Sequence, residues 1–280
     1  MKKILLTTDF SENAWNAIFT ALKLYTNVQC QFYILHAYEP TSLNLMGSKT
    51  QQRLGVIYDS LSKYSEQELE GVLKYLEINH LNTNHHFTGV SKPATLEEAV
   101  QIVVVENDIE LLLTGTQGAT GAKEVFLGSN TVKIIKTVTD IPILAIPTGF
   151  NFQELKTILF ATDFMAPYKK NELEQLKELA SIWNASIEVG HVAIEFKLND
   201  TQKANRAVLK ERLAGFDLKF KEIPFEGTIS KSIEKYSAHK PSSLLGIIRH
   251  HHTFWEKVIG EPVVKKIAFH TMIPVIFLPQ

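Results

Sequence analysis

Short apolar runs alternate along the first half of the chain with longer segments in which apolar residues recur every three or four positions. That alternation predicts strands exchanging with helices, an α/β fold built on a mostly parallel sheet. Five strands are expected, centred on 4–8, 32–37, 85–88, 110–114 and 143–146. After the first, Ser11 is placed to cap a helix whose face carries Ala14, Ala17, Ile18, Ala21, Leu22 and Tyr25. Further helices are expected over 58–76 and 94–106, and a last one opens near Ser129.

The pattern occurs twice. Residues 3–10 end on Thr8-Asp9-Phe10 and residues 157–164 on Thr162-Asp163-Phe164, while Ile141–Pro147 matches Ile273–Pro279. Two units follow, 1–148 and 154–280, joined by a connector from Thr148 to Glu154 that contains Gly149. The second copy repeats the plan with shorter connections: a strand near 187–192, a helical stretch around 204–214, and Pro167 where a first-turn proline would start its first helix. Leu43 to Ser60, with Gly47 and Gly55, has no equally long equivalent and reads as a loop insertion.

Candidate chemistry gathers at the carboxyl ends of the first copy's strands, where parallel sheets hold ligands at the break in strand order. Asp9 ends strand one; Gly115 ends strand four and is followed by Thr116-Gln117-Gly118; nine residues then separate Gly118 from Gly128-Ser129 at the start of the last helix. Glycines admit phosphate oxygens to main-chain amides, and a helix amino terminus favours negative charge. Ser129, Asn130 and Thr131 add side-chain donors, Asp9 can accept from a ribose hydroxyl or an adenine amino group, and Lys123 is a candidate for a terminal phosphate. Ala37 and Thr114, at the ends of strands two and four, complete the candidate set. A plainer reading stands beside this one, in which 115–129 is an ordinary glycine-rich connection and Asp9 a helix cap.

These residues resemble the universal stress protein family, whose nucleotide-binding members carry Gly-x2-Gly-x9-Gly-(Ser/Thr), here Gly115, Gly118, Gly128 and Ser129. The aspartate after strand one, the approach Leu112-Leu113-Thr114-Gly115 and the closing Ile-Pro-x4-Pro strand look like the same family. The resemblance implies a tandem member with two doubly wound five-stranded sheets in the order 3-2-1-4-5. It also implies ATP, with a divalent cation such as Mg, in competent units, and pairing through the last strand within one chain or between two in a homodimer. The second copy departs from the motif. Laid on the first without gaps, it sets Ile247 opposite Gly115, His250 opposite Gly118, Gly260 opposite Gly128, and Glu261-Pro262 opposite Ser129-Asn130. A carboxylate where phosphates would sit is repelled by them, so this half is expected not to bind ATP in the family's mode.

Composition narrows the remaining classes. Lys and Arg number 29 against 30 Asp and Glu, so no overall field draws the chain to nucleic acid or anionic lipid. Cys30 is the only cysteine, which excludes an internal disulfide and fits a reducing cytosol. No apolar stretch reaches the roughly 18 residues of a membrane span, and a soluble cytoplasmic protein is expected. His250-His251-His252 are consecutive and cannot all face one ion in a regular element, so no metal site is expected there. Walker, Gly-x-Gly-x2-Gly, His-Glu-x2-His and Gly-x-Ser-x-Gly motifs are all missing, and no catalytic residue is assigned. An ATP-binding sensor or adaptor leads; a nucleotide-independent scaffold and a slow ATPase or adenylyl-transfer enzyme are the alternatives.

Overall fold

A computed structural model of the chain describes residues 1–40, 51–116, 128–194, 197–240, 243–249 and 272–279. The first half runs β1 (Lys2–Thr7), α1 (Glu12–Leu24), β2 (Cys30–Ala37), α2 (Gln51–Asn79), β3 (His85–Lys92), α3 (Leu96–Asn107), β4 (Leu111–Gly115), α4 (Ser129–Thr137) and β5 (Ile143–Ile146). The second runs β6 (Thr157–Ala161), α5 (Glu174–Trp183), β7 (Ser186–Ala193), α6 (Asp200–Arg212), β8 (Leu218–Pro224), α7 (Ile229–Ser237), β9 (Ser243–Ile248) and β10 (Val275–Leu278).

Local chemistry accounts for the boundaries. The Ser11 hydroxyl accepts the Ala14 N–H, with Glu12 in the first turn of α1 and Lys23 in the last, each complementing the helix dipole. Thr95 and Glu98 form a reciprocal capping box at the start of α3. Two expectations need correction. Residues 51–60 continue α2 and are not a loop, because Gly55 packs against nothing and a single exposed glycine costs a helix only about 1 kcal/mol; residues 43–50 of the expected insertion lie outside the described residues. Pro167 does not start a helix. Tyr168 turns inward there to bond Thr162 at 2.6 Å, and the chain enters α5 only after a 3-10 turn at Asn171–Leu173, where buried Glu172 accepts the Lys169 N–H.

The ten strands form one sheet, ordered β3-β2-β1-β4-β5-β10-β9-β6-β7-β8. Each half has the order 3-2-1-4-5 and is parallel throughout. The halves meet where β5 and β10 pair antiparallel, with Ala145 opposite Val275, Leu144 opposite Ile276 and Ile143 opposite Phe277. All of these seam residues are fully buried. Alternate residues of the strands feed two apolar layers. One lies under α1, α2, α5 and α6, the other under α3, α4 and α7, and both run across the seam. On the α1 side the seam is also tied by polar contacts: Trp183 Nε1 donates to the Leu24 carbonyl at 2.9 Å, and Lys2 meets Glu178 at 2.6 Å. Cys30 is a buried core residue, and burial pushes its thiol up to about 12, which keeps it protonated. Among the described residues no helix is long and apolar enough to cross a membrane.

A histidine pair joins α2 to β3. His85 Nε2 lies 3.0 Å from the Tyr25 carbonyl, which can only accept, so Nδ1 of the neutral ring receives the proton of His80 Nε2 at 2.7 Å. Burial lowers the pKa of both rings, and that of His36. A ring held neutral in the fold takes up a proton more readily once unfolded. Stability is therefore complete above about pH 6.5 and declines as the pH falls through the lowered values. Thermal melting followed between about pH 7.5 and 5 should show that decline, and His85→Gln should make it shallower; an equally steep decline in the variant would count against the assignment.

Candidate functional site

Strand order reverses between β1 and β4, because the chain leaves β1 toward β2 and β3 and returns across it to β4. Open α/β sheets hold ligands in the crevice beyond the carboxyl ends of such a strand pair. Thr8-Asp9-Phe10 forms a tight turn at one wall. Phe10 adopts φ 64, costly for a bulky side chain, and the turn is held by Thr8 Oγ1 accepting the Phe10 N–H at 2.9 Å and Asp9 Oδ1 accepting the Ser11 N–H at 3.1 Å. Asp9 is left exposed beyond the sheet while it stabilises the entry to α1, so capping and ligand recognition are compatible in one residue.

The other wall is the end of β4. A Cβ on Gly115 would fall 2.3 Å from Asn13 Nδ2 and 2.9 Å from its Cγ, so the glycine admits α1 to the end of the strand. Around it runs a chain of hydroxyls. Thr7 donates to Thr114 Oγ1 at 2.9 Å, and Thr114 and Thr131 both donate to the Gly115 carbonyl, at 3.3 and 2.9 Å. Thr131, expected as a side-chain donor to a ligand, is buried, and its hydroxyl here donates to that carbonyl. The Gly128 N–H donates to the Thr116 carbonyl at 2.5 Å and so ties the start of α4 to the end of β4. Gly118 and Lys123 lie in that segment, outside the described residues.

Gly128 caps α4 and, having no side chain, offers its first turn no acceptor. The amides of Ser129, Asn130 and Thr131 have no partner within the helix by construction. Ser129 and Asn130 are exposed. Beside them, the Thr116 hydroxyl belongs to a residue 3% exposed and makes no hydrogen bond among the described residues. Ala37 ends β2, paired with Lys92 and half-buried. Next to it, His36 packs at a tilt against Phe10 with centroids 4.5 Å apart and shares its Nδ1 with Ser65 at 2.8 Å. Burial lowers its pKa, and the charge of Asp9 opposes the shift.

Thr116, Asn13 and His36 were not among the residues expected from sequence. Thr116 directly follows the motif glycine, and Asn13 is, with Thr20, one of two polar residues on the buried side of α1, so both carried a signal. His36 carried none that separates it from a core histidine. Among the described residues, no three His, Cys, Asp or Glu side chains converge on a possible metal position, and His250–His252 lie outside them.

A family model described as the universal stress protein family matches residues 1–147. The chain belongs to the universal stress protein family. Among solved structures, a universal stress protein from Archaeoglobus fulgidus DSM 4304 is 17% identical and aligns over 99% of this chain and 96% of its own, with a TM-score of 0.65. A functionally unknown protein from Pseudomonas aeruginosa PAO1 is 12% identical over 100% of this chain and 92% of its own, with a TM-score of 0.58. These likenesses show a fold shared along the whole length. No curated protein matches the chain.

The second half of this universal stress protein keeps the turn and loses the strand end. Phe164 has φ 58, with Thr162 accepting its N–H at 3.1 Å and Asp163 accepting that of Met165 at 2.9 Å, as in the first half. Gly115 pairs with Ile146 and Ile248 with Leu278, the matching residues of the two last strands. Ile248, not Ile247, therefore stands opposite Gly115; the connection onward to β10 is one residue shorter, a difference that a gapless superposition cannot absorb. Arg249 then stands at the position of Thr116, and each donates its N–H to the last strand, at 3.1 and 2.9 Å. His250, Gly260, Glu261 and Pro262 lie outside the described residues.

Because Asn13 occupies the space a side chain at 115 would need, Gly115→Ala should destabilise the fold by about 1–3 kcal/mol. Asn13→Ala in the same chain should recover much of that loss. Additive losses in a double-mutant cycle of denaturant melts would contradict the packing account.

Proposed function

We propose that the first half of this universal stress protein binds ATP, with a divalent cation such as Mg, in the crevice between β1 and β4, and that occupancy tunes conformation or partner contacts. The chain then acts as a stress-response sensor or adaptor, working in the cytoplasm and not on nucleic acid or membranes, and carries no catalytic group for rapid phosphoryl transfer. The reading rests on one observation above all: a buried hydroxyl without a partner among the described residues, on Thr116, beside a helix amino terminus whose cap residue has no side chain. A polar group buried in this way is costly unless a ligand completes it, and free amides at a helix start favour phosphate.

In this reading the amides of Ser129 and Asn130 meet phosphate oxygens, and Gly118 keeps the approach open. Asp9 accepts from the ribose or the adenine amino group, with Ala37 and Thr114 at the adjoining strand ends. Gly115 and Thr131 serve indirectly, by setting α1 and α4 against β4. In the second half, Ile248 and Arg249 stand where Gly115 and Thr116 do, which supports a single site per chain.

Thr116→Val separates this reading from a nucleotide-independent scaffold. Removing a hydroxyl that bonds to nothing should raise the stability of the nucleotide-free protein by about 1 kcal/mol, while its loss as a ligand donor should weaken ATP about three- to tenfold in calorimetric titration. Saturation near one ATP per unaltered chain is expected. Absent binding, two equivalent sites, or full affinity in the variant would each contradict the proposal.

A further inference from the structure

Arg249 follows β9 in the second half, is 7% exposed, and sends its guanidinium across the seam into the first half. Its Nη1 donates to the carbonyls of Ile135, at 3.1 Å, and Val138; Nη2 donates to those of Thr139 and Ile141, at 3.1 and 2.7 Å; Nε donates to Leu278 at 3.3 Å. Five N–H groups thus meet five main-chain carbonyls, the full donor capacity of an arginine. Two of those carbonyls belong to the last turn of α4 and the residue after it, where the helix leaves its acceptors unfilled and its dipole is negative. Burial lowers the pKa of the guanidinium to about 10, with Asp140 opposing, so it is charged at neutral pH.

α4 has only nine residues, too few to hold its shape alone, and buries only Thr131, Ile134 and Ile135. Its position is set by what grips its ends. The first half grips the start, through Gly128 on Thr116 and Thr131 on Gly115; the second half grips the finish, through Arg249. Amides bind an anion well when they are already fixed where the anion will be, because none of the binding energy is then spent on ordering them.

We infer that Arg249 is a positioning residue for the nucleotide site of the other half: it clamps the carboxyl end of α4 so that the amides at its amino end stand ready for phosphate. The inference rests on the ATP reading of that crevice. It assigns the second half a use that does not require a ligand of its own, since the position that is Thr116 in the first half has become the clamp. Lysine cannot replace it, having three donors for five acceptors.

The test titrates the full chain, Arg249→Met and Arg249→Lys with ATP and separately with adenosine, at a temperature where circular dichroism finds each fully folded. Arg249→Met should weaken ATP about tenfold and adenosine less than about twofold, because α4 meets the phosphates alone; Arg249→Lys should lie between. A merely structural arginine would lower the melting temperature and leave the ratio of the two affinities unchanged, and that result overturns the inference. If Arg249→Met does not fold, the same ratio measured in Arg249→Lys decides, an unchanged value again overturning it. Failure of the unaltered chain to bind ATP would sink the reading of the site and this inference with it, whereas tight ATP binding indifferent to Arg249 sinks the inference alone.

Discussion

The antiparallel pairing of β5 with β10 is the contact on which the rest of the molecule depends. A five-stranded parallel sheet wound on both faces ends in a short, wholly apolar strand, and left open that strand is an edge seeking a partner. Here each half supplies the partner of the other, so ten strands form one sheet and two apolar layers run without a break across it. Everything near the seam is then positioned by both halves. Trp183 and Lys2 tie α5 to the first half on one face, and Arg249 reaches the end of α4 on the other.

That shared frame explains how two copies of one plan come to differ in use. Both keep the Thr-Asp-Phe turn with its left-handed phenylalanine, and each places a histidine of its second strand against that ring, His36 on Phe10 and His191 on Phe164. The difference lies one strand away. Where the first half ends β4 with a glycine and a buried threonine hydroxyl, the second ends β9 with an isoleucine and an arginine directed away into the neighbouring half. A strand end proposed to meet a ligand and one that braces the neighbouring half occupy equivalent places in the same sheet.

Much of this was legible in the residues. The repeated Thr-Asp-Phe and Ile-Pro-x4-Pro segments marked the duplication, and the apolar runs marked the strands of the first half, because buried parallel strands must be apolar on both faces; their order across the sheet was implied only by the family resemblance. The crevice was legible as a location, from Asp9 and the glycine spacing. Its internal division of labour was not. Gly115 looked like a phosphate glycine, yet the neighbour that requires it is Asn13, a contact between residues about a hundred positions apart that no spacing encodes. Nor did spacing show that the Thr131 hydroxyl, read as a donor to a ligand, reaches the Gly115 carbonyl. The continuation of α2 through Gly55 and the one-residue slip at Ile248 were lost for a similar reason: local propensity and gapless superposition both ignore what the sheet imposes.

The central claim is that nucleotide enters the first half alone and is felt across the seam at the far end of α4. Hydrogen–deuterium exchange of the full chain with and without ATP addresses it most directly, since it reads both halves of one molecule at once. The account predicts that ATP slows exchange at 8–11 and along 128–141, including the segment Arg249 holds, and leaves 162–165 unchanged. Protection at 162–165, or protection nowhere, would contradict it.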